Sequence, residues 1–407
     1  MASRRQFIVQ SVGAFAGFLA IDSIFARAAR AAGTAAIGGS AAGRSLVVVN
    51  LQGGNDGLNT LIPFSDPNYY KVRPTIGVAQ EEVVKLNGDL GLNPKLADLK
   101  ELFDAQRVAI LQGVHYPNPI LSHFRSTEIW QTAAPDKYVP DGWAGRYLDE
   151  AGLPANNLFK GVAIGPILPQ LLIAAKTDVP AIADLRGFAF RGKRDEQRQA
   201  DNILNGASET YAFQSPYLAL VQGVEHDAHA ASIQLPQLIA GYKPAVDYPK
   251  TPFSQGLNLV SAIVNAGLGT KVFYVSLGSF DTHVNQRQRQ DTLLEQFAGG
   301  IKAFYADLAA HGADDRVVTM TFSEFGRRVS ENANRGTDHG TAAPMFIVGG
   351  GVKGGLYGDH PSLTDLDFGN LKWHTDFRSV YATILERWLG VPSAPVLGSG
   401  FPTLNFV

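Results

Sequence analysis

The sequence predicts an α/β protein in which a mostly parallel sheet is sandwiched by helices. Short runs of apolar and β-branched residues alternate with longer stretches of helical periodicity towards both ends of the chain, the pattern of strands joined by crossover helices. These runs are apolar throughout instead of alternating with polar residues, as expected of strands buried on both faces. The 43 glycines and 22 prolines indicate many tight loops between the elements.

The apolar runs predict five strands, and the three-to-four spacing of apolar residues predicts the main helices. The predicted strands cover residues 45–51, 108–113, 271–277, 316–322 and 344–348. The predicted helices cover residues 94–105, 256–266, 293–308 and 375–389, with Gly312 and Gly390 as stops after the last two. Residues 185–250 are richer in Gln, Asp and Arg, which predicts an inserted helical subregion.

Composition and charge narrow the classes of function. Hydrophobic residues make up 45% of the 407 residues and charged residues 18%, which is typical of a globular protein and not of a disordered or collagenous one. Lys and Arg number 35 against 37 Asp and Glu, a net charge of -2, so we expect no nucleic-acid partner and no polybasic membrane surface. With no cysteine, stability has to come from the core and from any bound metal.

The N-terminus predicts export. Ser3-Arg4-Arg5-Gln6-Phe7-Ile8 precedes an apolar run at residues 12–21, which is too short to span a bilayer. The paired arginines resemble the twin-arginine signal, which implies the twin-arginine translocase as a partner and a periplasmic or secreted protein without a stable membrane anchor. We expect a signal peptide at residues 1–32, a linker at 33–44 and one domain at 45–407; an uncleaved N-terminal anchor is the alternative.

Candidate reactive side chains follow the carboxyl ends of predicted strands. Asp56 follows the first strand; the others are Ser122, His123, Asp281, His283, Glu324 and His339. Sites of open α/β sheets form at that edge, and carboxylates with imidazoles there suit a divalent metal. The alternative is that these residues are separate polar caps of loops.

Five short motifs together resemble a known family. They are LQGGNDGLN at residues 51–59, LSHF at 121–124, FDTH at 280–283, SEFGR at 323–327 and TDHG at 337–340. In this order, with the signal, they resemble a largely uncharacterised family of twin-arginine-exported bacterial proteins in the alkaline phosphatase and sulfatase superfamily. The resemblance spans nearly the whole mature chain and implies an alkaline-phosphatase-like fold.

The resemblance also implies roles for single residues. Asp56 matches the acid after the first strand, and Ser122 the nucleophile at a helix start. Asp281 and His283 match the first Asp/His pair, with a spacing of two instead of four. The remaining matches are Glu324, followed by Phe325 where the superfamily has His, and His339 as the late histidine. One metal or two, of zinc, manganese, iron, magnesium or calcium, would bind there, and His123 is a further candidate ligand.

The function that follows is metal-dependent hydrolysis of a phosphate or sulfate ester. Ser122 would attack the phosphorus or sulfur of a small anionic substrate, and Arg125 or Arg327 would clamp its oxygens. The alternative for Ser122 is a helix N-cap, and for Arg327 a structural ion pair. A periplasmic or surface binding protein that keeps the scaffold without turnover is the alternative to an enzyme.

Overall fold

A computed structural model describes residues 43–154, 156–183 and 230–407 of the chain. The strands are β1 (Ser45–Leu51), β2 (Leu61–Ile62), β3 (Val84–Lys85), β4 (Gly91–Leu92), β5 (Val108–His115), β6 (Gly161–Ile164), β7 (Ala181–Ile182), β8 (Val272–Leu277), β9 (Val317–Phe322), β10 (Ala343–Gly349), β11 (Gly355–Tyr357), β12 (Leu366–Asp367), β13 (Asn370–Leu371) and β14 (Thr375–Asp376). The α-helices are α1 (Gly57–Thr60), α2 (Pro67–Val72), α3 (Ala97–Asp104), α4 (His123–Thr132), α5 (Trp143–Glu150), α6 (Pro252–Asn265), α7 (Gln286–Ala310), α8 (Phe377–Thr383) and α9 (Ser393–Leu397). A π-helical turn (Ile384–Trp388) continues α8.

The central sheet has nine strands in the order β11-β5-β10-β9-β1-β8-β6-β7, with β14 also beside β5. Strand β1 lies between β8 and β9 and is parallel to both. Strand β10 runs antiparallel to its neighbours β5 and β9. The predicted fold class, a mostly parallel sheet flanked by helices, is confirmed.

The sheet is buried on both faces, as the apolar runs predict. Along β1, Val47 and Val49 pack into one core with α6 and α7. Leu46 and Val48 point to the opposite face and pack into a second core with α4, α5 and α8. Successive side chains of a strand face opposite sides of the sheet, so a strand of this kind needs apolar residues at every position.

The five predicted strands and most predicted helices are found within a few residues of their expected bounds, with one correction. The helix predicted over residues 375–389 begins at Phe377 because Thr375 and Asp376 pair with β5 instead. Asp376 then caps α8, since its side chain accepts a hydrogen bond from the backbone N–H of Arg378. Gly312 and Gly390 follow their helices with positive φ values of 66° and 75°, as expected of C-terminal stops.

Three predicted regions lie mainly outside the described residues. The signal peptide at residues 1–32 and most of the linker at 33–44 precede residue 43. Of the helical insert predicted at about 185–250, only residues 230–250 are described, and residues 230–238 are helical. Within the described part of the chain, no helix combines the length and hydropathy needed to cross a membrane.

Candidate metal centre

Loops at the carboxyl ends of β5, β8 and β9 bring six of the eight predicted site residues into contact. They are His123, Asp281, His283, Glu324, Arg327 and His339. The loop after β9 and the segment around residue 339 pair through their backbones, because Arg327 and His339 form an isolated antiparallel bridge. Gly53, at the end of β1, has a φ of 120° and lies so close to the backbone of Asp281 that a Cβ would collide with it. The edge of the sheet is therefore tightly packed under the cluster.

Asp281 is the centre of this cluster. Its Oδ1 atom lies 2.9 Å from Nε2 of His283 and 3.3 Å from Nε2 of His339. Its Oδ2 atom lies 3.4 Å from Nε2 of His123. Ligand atoms of His123, Asp281 and His339 all fall within 4.8 Å of one another, close enough to share a metal ion. His283 adds a nitrogen 3.0 Å from Nε2 of His339.

The hydrogen bonds made by Nδ1 of two histidines leave the Nε2 atoms of these rings unprotonated. Nδ1 of His339 lies 2.8 Å from the carbonyl oxygen of Leu121, which can only accept, so Nδ1 carries the proton. Nδ1 of His123 lies 2.7 Å from Oε1 of Glu324 and donates to that carboxylate. A neutral imidazole protonated on Nδ1 has its lone pair on Nε2. The histidine set therefore fits a divalent metal, in the arrangement in which outer partners orient histidine ligands.

Glu324 stands behind His123 and does not face the centre of the cluster, contrary to its prediction as a ligand. Its side chain is buried, and both carboxylate oxygens accept from the backbone N–H of Gly53, at 2.9 and 3.0 Å. The remaining strong contact of Oε1 is His123. Glu324 thus orients His123, because its oxygens are already committed to the backbone after β1 and to the imidazole.

Arg327 is buried and cannot clamp a substrate, which corrects the role predicted for it. Its guanidinium donates to the carbonyl oxygens of Gly53, Gly54, Phe280 and Thr337 and, at 2.8 Å, to Oδ1 of Asp281. The side chain has no exposed surface. Arg327 therefore holds Asp281 in place and ties three loops together.

Arg125 is committed in a similar way. It donates to the carbonyl oxygens of Ala134, Pro135 and Lys137 and pairs with Glu128. These bonds hold the chain that follows α4, so its guanidinium does not serve as the predicted clamp.

Asp56 does not join the cluster. It caps α1 by accepting from the backbone N–H of Leu58, and its other oxygen accepts from Arg73 and Gln286. Both Asp56 and Arg73 are almost completely buried. The predicted ligand is instead one half of a buried ion pair, in a network that none of the six clustered residues joins directly.

Ser122 lies at the edge of the cluster, next to His123. It is the N-cap of α4 by backbone conformation, and its carbonyl oxygen accepts from the N–H of Ser126. Its side chain is exposed and makes no capping hydrogen bond. The hydroxyl is therefore not consumed by the capping role that was its alternative.

Charges and burial set the protonation of the ligands. Partial burial raises the pKa of Asp281, but the hydrogen bond and the charge of Arg327 outweigh burial and lower this pKa to about 2. The carboxylate is therefore ionised at neutral pH. Burial lowers the pKa of His339, which favours the neutral, metal-binding form. The hydrogen bond to Glu324 raises the pKa of His123, so a proton competes more strongly with a metal ion for Nε2 of this ring.

Phe325 forms the wall of the cluster, a role that the sequence did not reveal. Its ring is buried, and its centroid lies 4.4 Å from that of His339 and 4.9 Å from that of His123. Phe325 thus packs against two imidazoles of the cluster. Asp338, 3.4 Å from Nδ1 of His283, is a second contact found only in the structure.

Comparisons with known proteins identify a family and a set of distantly similar structures. A family model described as a protein of unknown function, DUF1501, matches residues 181–391. No curated protein matches the chain.

The similar solved structures share little sequence with this chain. A sulfatase from Pseudoalteromonas sp. is 12% identical, with a TM-score of 0.37 and coverage of 100% of this chain and 75% of that chain. A protein in the alkaline phosphatase superfamily from Vibrio parahaemolyticus is 11% identical, with a TM-score of 0.38 and coverage of 95% and 80%. A lipoteichoic acid synthase from Listeria monocytogenes is 11% identical, with a TM-score of 0.37 and coverage of 92% and 82%.

Proposed function

The chain belongs to the DUF1501 family of proteins of unknown function, and from the geometry of its site we propose that it is a metal-dependent hydrolase of phosphate or sulfate esters. The observation that carries this proposal is the convergence of the imidazoles of His123 and His339 with the carboxylate of Asp281. Ser122 precedes His123 in the chain, and its hydroxyl makes no capping bond. A metal site and a hydroxyl at one sheet edge are the two parts that such hydrolysis needs.

Two imidazoles and a carboxylate would hold the metal. This ligand set suits zinc, manganese or iron better than magnesium or calcium, which prefer oxygen ligands. A divalent metal, when bound, supplies Lewis acidity towards an ester oxygen. Three protein ligands leave one tetrahedral position open, as in catalytic sites.

The residues of the chain itself would bind and attack the ester. The first-turn N–H groups of α4 begin at the cluster, and helix starts of this kind bind phosphate and sulfate groups. An anion held there lies beside the hydroxyl of Ser122, which is exposed and makes no side-chain bond within the helix cap. Ser122 would then attack the phosphorus or sulfur atom, and the bond to the ester oxygen breaks as the new bond to the serine oxygen forms. The alcohol leaves with the proton of the serine hydroxyl, and water hydrolyses the seryl ester to release phosphate or sulfate.

Whether His283 binds the metal determines whether the site is open or closed. Its Nε2 atom contacts both Asp281 and His339, so as a fourth ligand it would complete a tetrahedral shell, the arrangement of structural metal sites. That arrangement favours the second candidate function, a binding protein without turnover. Arg125 and Arg327 are committed to other bonds, so neither guanidinium holds an anionic substrate. This also favours a protein without turnover.

The test of the hydrolase is a paired comparison of Ser122→Ala and Ser122→Thr. Ser122→Ala is expected to keep its metal and to unfold within about 0.5 kcal/mol of the wild type, because the side chain makes no capping bond. It is also expected to lose hydrolysis of aryl phosphates and sulfates, while Ser122→Thr, which keeps a hydroxyl, retains part of it. Full activity of Ser122→Ala would refute the nucleophile.

A second variant separates the enzyme from the binding protein. In the open site, His283→Ala keeps the zinc affinity of the wild type, because His283 is not a ligand. In the closed site, the same change removes one of four ligands and weakens zinc affinity by at least about tenfold, and no ester is hydrolysed by the wild type. The zinc affinity of the variant, measured by calorimetry beside the wild type, distinguishes the two.

The paired Arg4 and Arg5 support export by the twin-arginine translocase to the periplasm or beyond, where a small anionic ester would be the substrate. Replacing both by Lys keeps their charge and is expected to leave the precursor in the cytoplasm. Normal export of this variant, followed by cell fractionation, would contradict this route.

A further inference from the structure

Three large apolar side chains are exposed immediately beside the metal centre. Phe124 is 91% exposed, Val284 58% and Ile120 37%. Phe124 follows His123 in the chain and Val284 follows His283. Ile120 precedes Leu121, the residue whose carbonyl oxygen accepts from His339. Single exposed apolar residues are common, but three around one polar cluster indicate a binding surface.

Phe124 and Val284 each follow a different histidine of one compact group of imidazole rings. The His123 and His339 ring centroids are 4.5 Å apart, and those of His283 and His339 are 4.8 Å apart. Adjacent Cα atoms are about 3.8 Å apart. The Cα atoms of Phe124 and Val284 therefore each lie about 3.8 Å from the Cα atom of a different histidine of the cluster.

The direction of the Phe124 side chain also points to the site. Phe124 is in the first turn of α4, and Cα–Cβ bonds of a helix tilt towards its N-terminus. That end of α4 carries the unpaired N–H groups and the hydroxyl of Ser122. The ring therefore leans towards the space that an anion would occupy.

We propose that Ile120, Phe124 and Val284, here called the apolar rim, bind the organic group of the substrate and select esters of apolar alcohols. The inference rests on the proposed function, because it takes the anionic group to lie at the metal centre and the start of α4. An ester has its organic group one oxygen away from that anionic group. An alkyl or aryl group would then cover the rim, whereas a sugar would place hydroxyls against it.

The experiment measures binding as well as turnover. Dissociation constants of methyl phosphate and butyl phosphate, and of the matching sulfates, are measured by calorimetry on the wild type loaded with zinc. Half-burial of the three additional methylene groups of the butyl ester on the open rim is expected to tighten binding by about tenfold. In Phe124→Ser and Val284→Ser this preference is expected to fall to about twofold, with binding of methyl phosphate unchanged. Because both side chains are exposed, these substitutions are expected to change the free energy of unfolding little.

Leu238→Ser is the matched control. Leu238 is an exposed apolar residue four positions before Tyr242, whose hydroxyl donates to Asp307 near the end of α7. The start of α7, at Gln286, directly follows the His283 segment, and 21 residues of helix separate Asp307 from it by about 30 Å. This variant should keep the full preference for the butyl ester.

Each outcome bears on one claim. If the butyl preference is present and Phe124→Ser removes it while no ester is hydrolysed, the rim stands and the hydrolase fails. If esters are hydrolysed with no preference for apolar groups, the hydrolase stands and the rim is refuted. If Phe124→Ser instead converts a dimer to a monomer in sedimentation velocity, the rim is an interface between copies of this chain and the proposal is overturned.

Discussion

Replacing Arg327 by Lys tests whether this side chain builds the site or binds the substrate. Arg327 donates to four carbonyl oxygens and to Asp281 with no exposed surface. A lysine keeps the charge but has three N–H donors on one atom instead of five in a fork. At least two buried acceptors would therefore lose their donors.

The expected loss of stability follows from those acceptors. Each buried acceptor left without a partner costs about 1–3 kcal/mol, so the loss of two donors by Arg327→Lys is expected to lower the free energy of unfolding by about 2–6 kcal/mol. Urea unfolding at pH 7 measures this value. Arg328→Lys is the matched control, because Arg328 is the next residue and is exposed; its change should stay within about 0.5 kcal/mol.

The opposite result would restore the substrate clamp. If Arg327→Lys unfolds at the same urea concentration as Arg328→Lys but no longer binds phosphate esters, the guanidinium acts on substrate and the buried arrangement is wrong.

Three further predictions follow from buried contacts. Glu324→Gln should weaken zinc affinity by about 10–100-fold in calorimetry, because it removes the carboxylate that orients His123; unchanged affinity would contradict that role. Burial raises the pKa of Asp307, but hydrogen bonds from two tyrosine hydroxyls and a backbone N–H outweigh burial and lower this pKa. The ionised form of Asp307 therefore stabilises the fold above the unfolded pKa of about 3.9. That contribution is lost as the pH falls, and Asp307→Asn should show a shallower decline in unfolding free energy between pH 7 and pH 3; an equal slope would contradict this. Gly54→Ala should destabilise the protein in thermal unfolding, because φ is 82° and a Cβ would lie 2.6 Å from the ring of Phe325; an unchanged melting temperature would show that the loop relaxes.

The main strands could be predicted because a strand buried on both faces needs apolar residues at consecutive positions. Ser45–Leu51 and Val317–Phe322 are apolar or small along nearly their whole length, and runs of this length are typical of strands buried on both faces. Strands of two residues, such as Thr375–Asp376, have no period to detect. Their pairing depends on contacts with β5 that only the folded chain brings about.

The position of the site was also predictable, but not the direction of each side chain. Residues after parallel strands meet at one edge, and in the structure His339 contacts Asp281 there while Glu324 contacts His123. Glu324 turns inwards because the N–H of Gly53 and the ring of His123 take its oxygens. Asp56 turns away because Arg73, 17 residues later, pairs with it. Both outcomes depend on partners distant in sequence, which no local pattern reports.

The most direct test of the account is the metal stoichiometry of the purified protein and of His339→Ala. The wild type, measured by elemental analysis after dialysis against zinc, is expected to hold about one ion per chain through His123, Asp281 and His339. His339→Ala is expected to lose that ion, and Leu238→Ser to keep it. Retention of the ion by His339→Ala, or a wild type that binds no zinc, manganese or iron, would contradict the metal centre on which the proposed function rests.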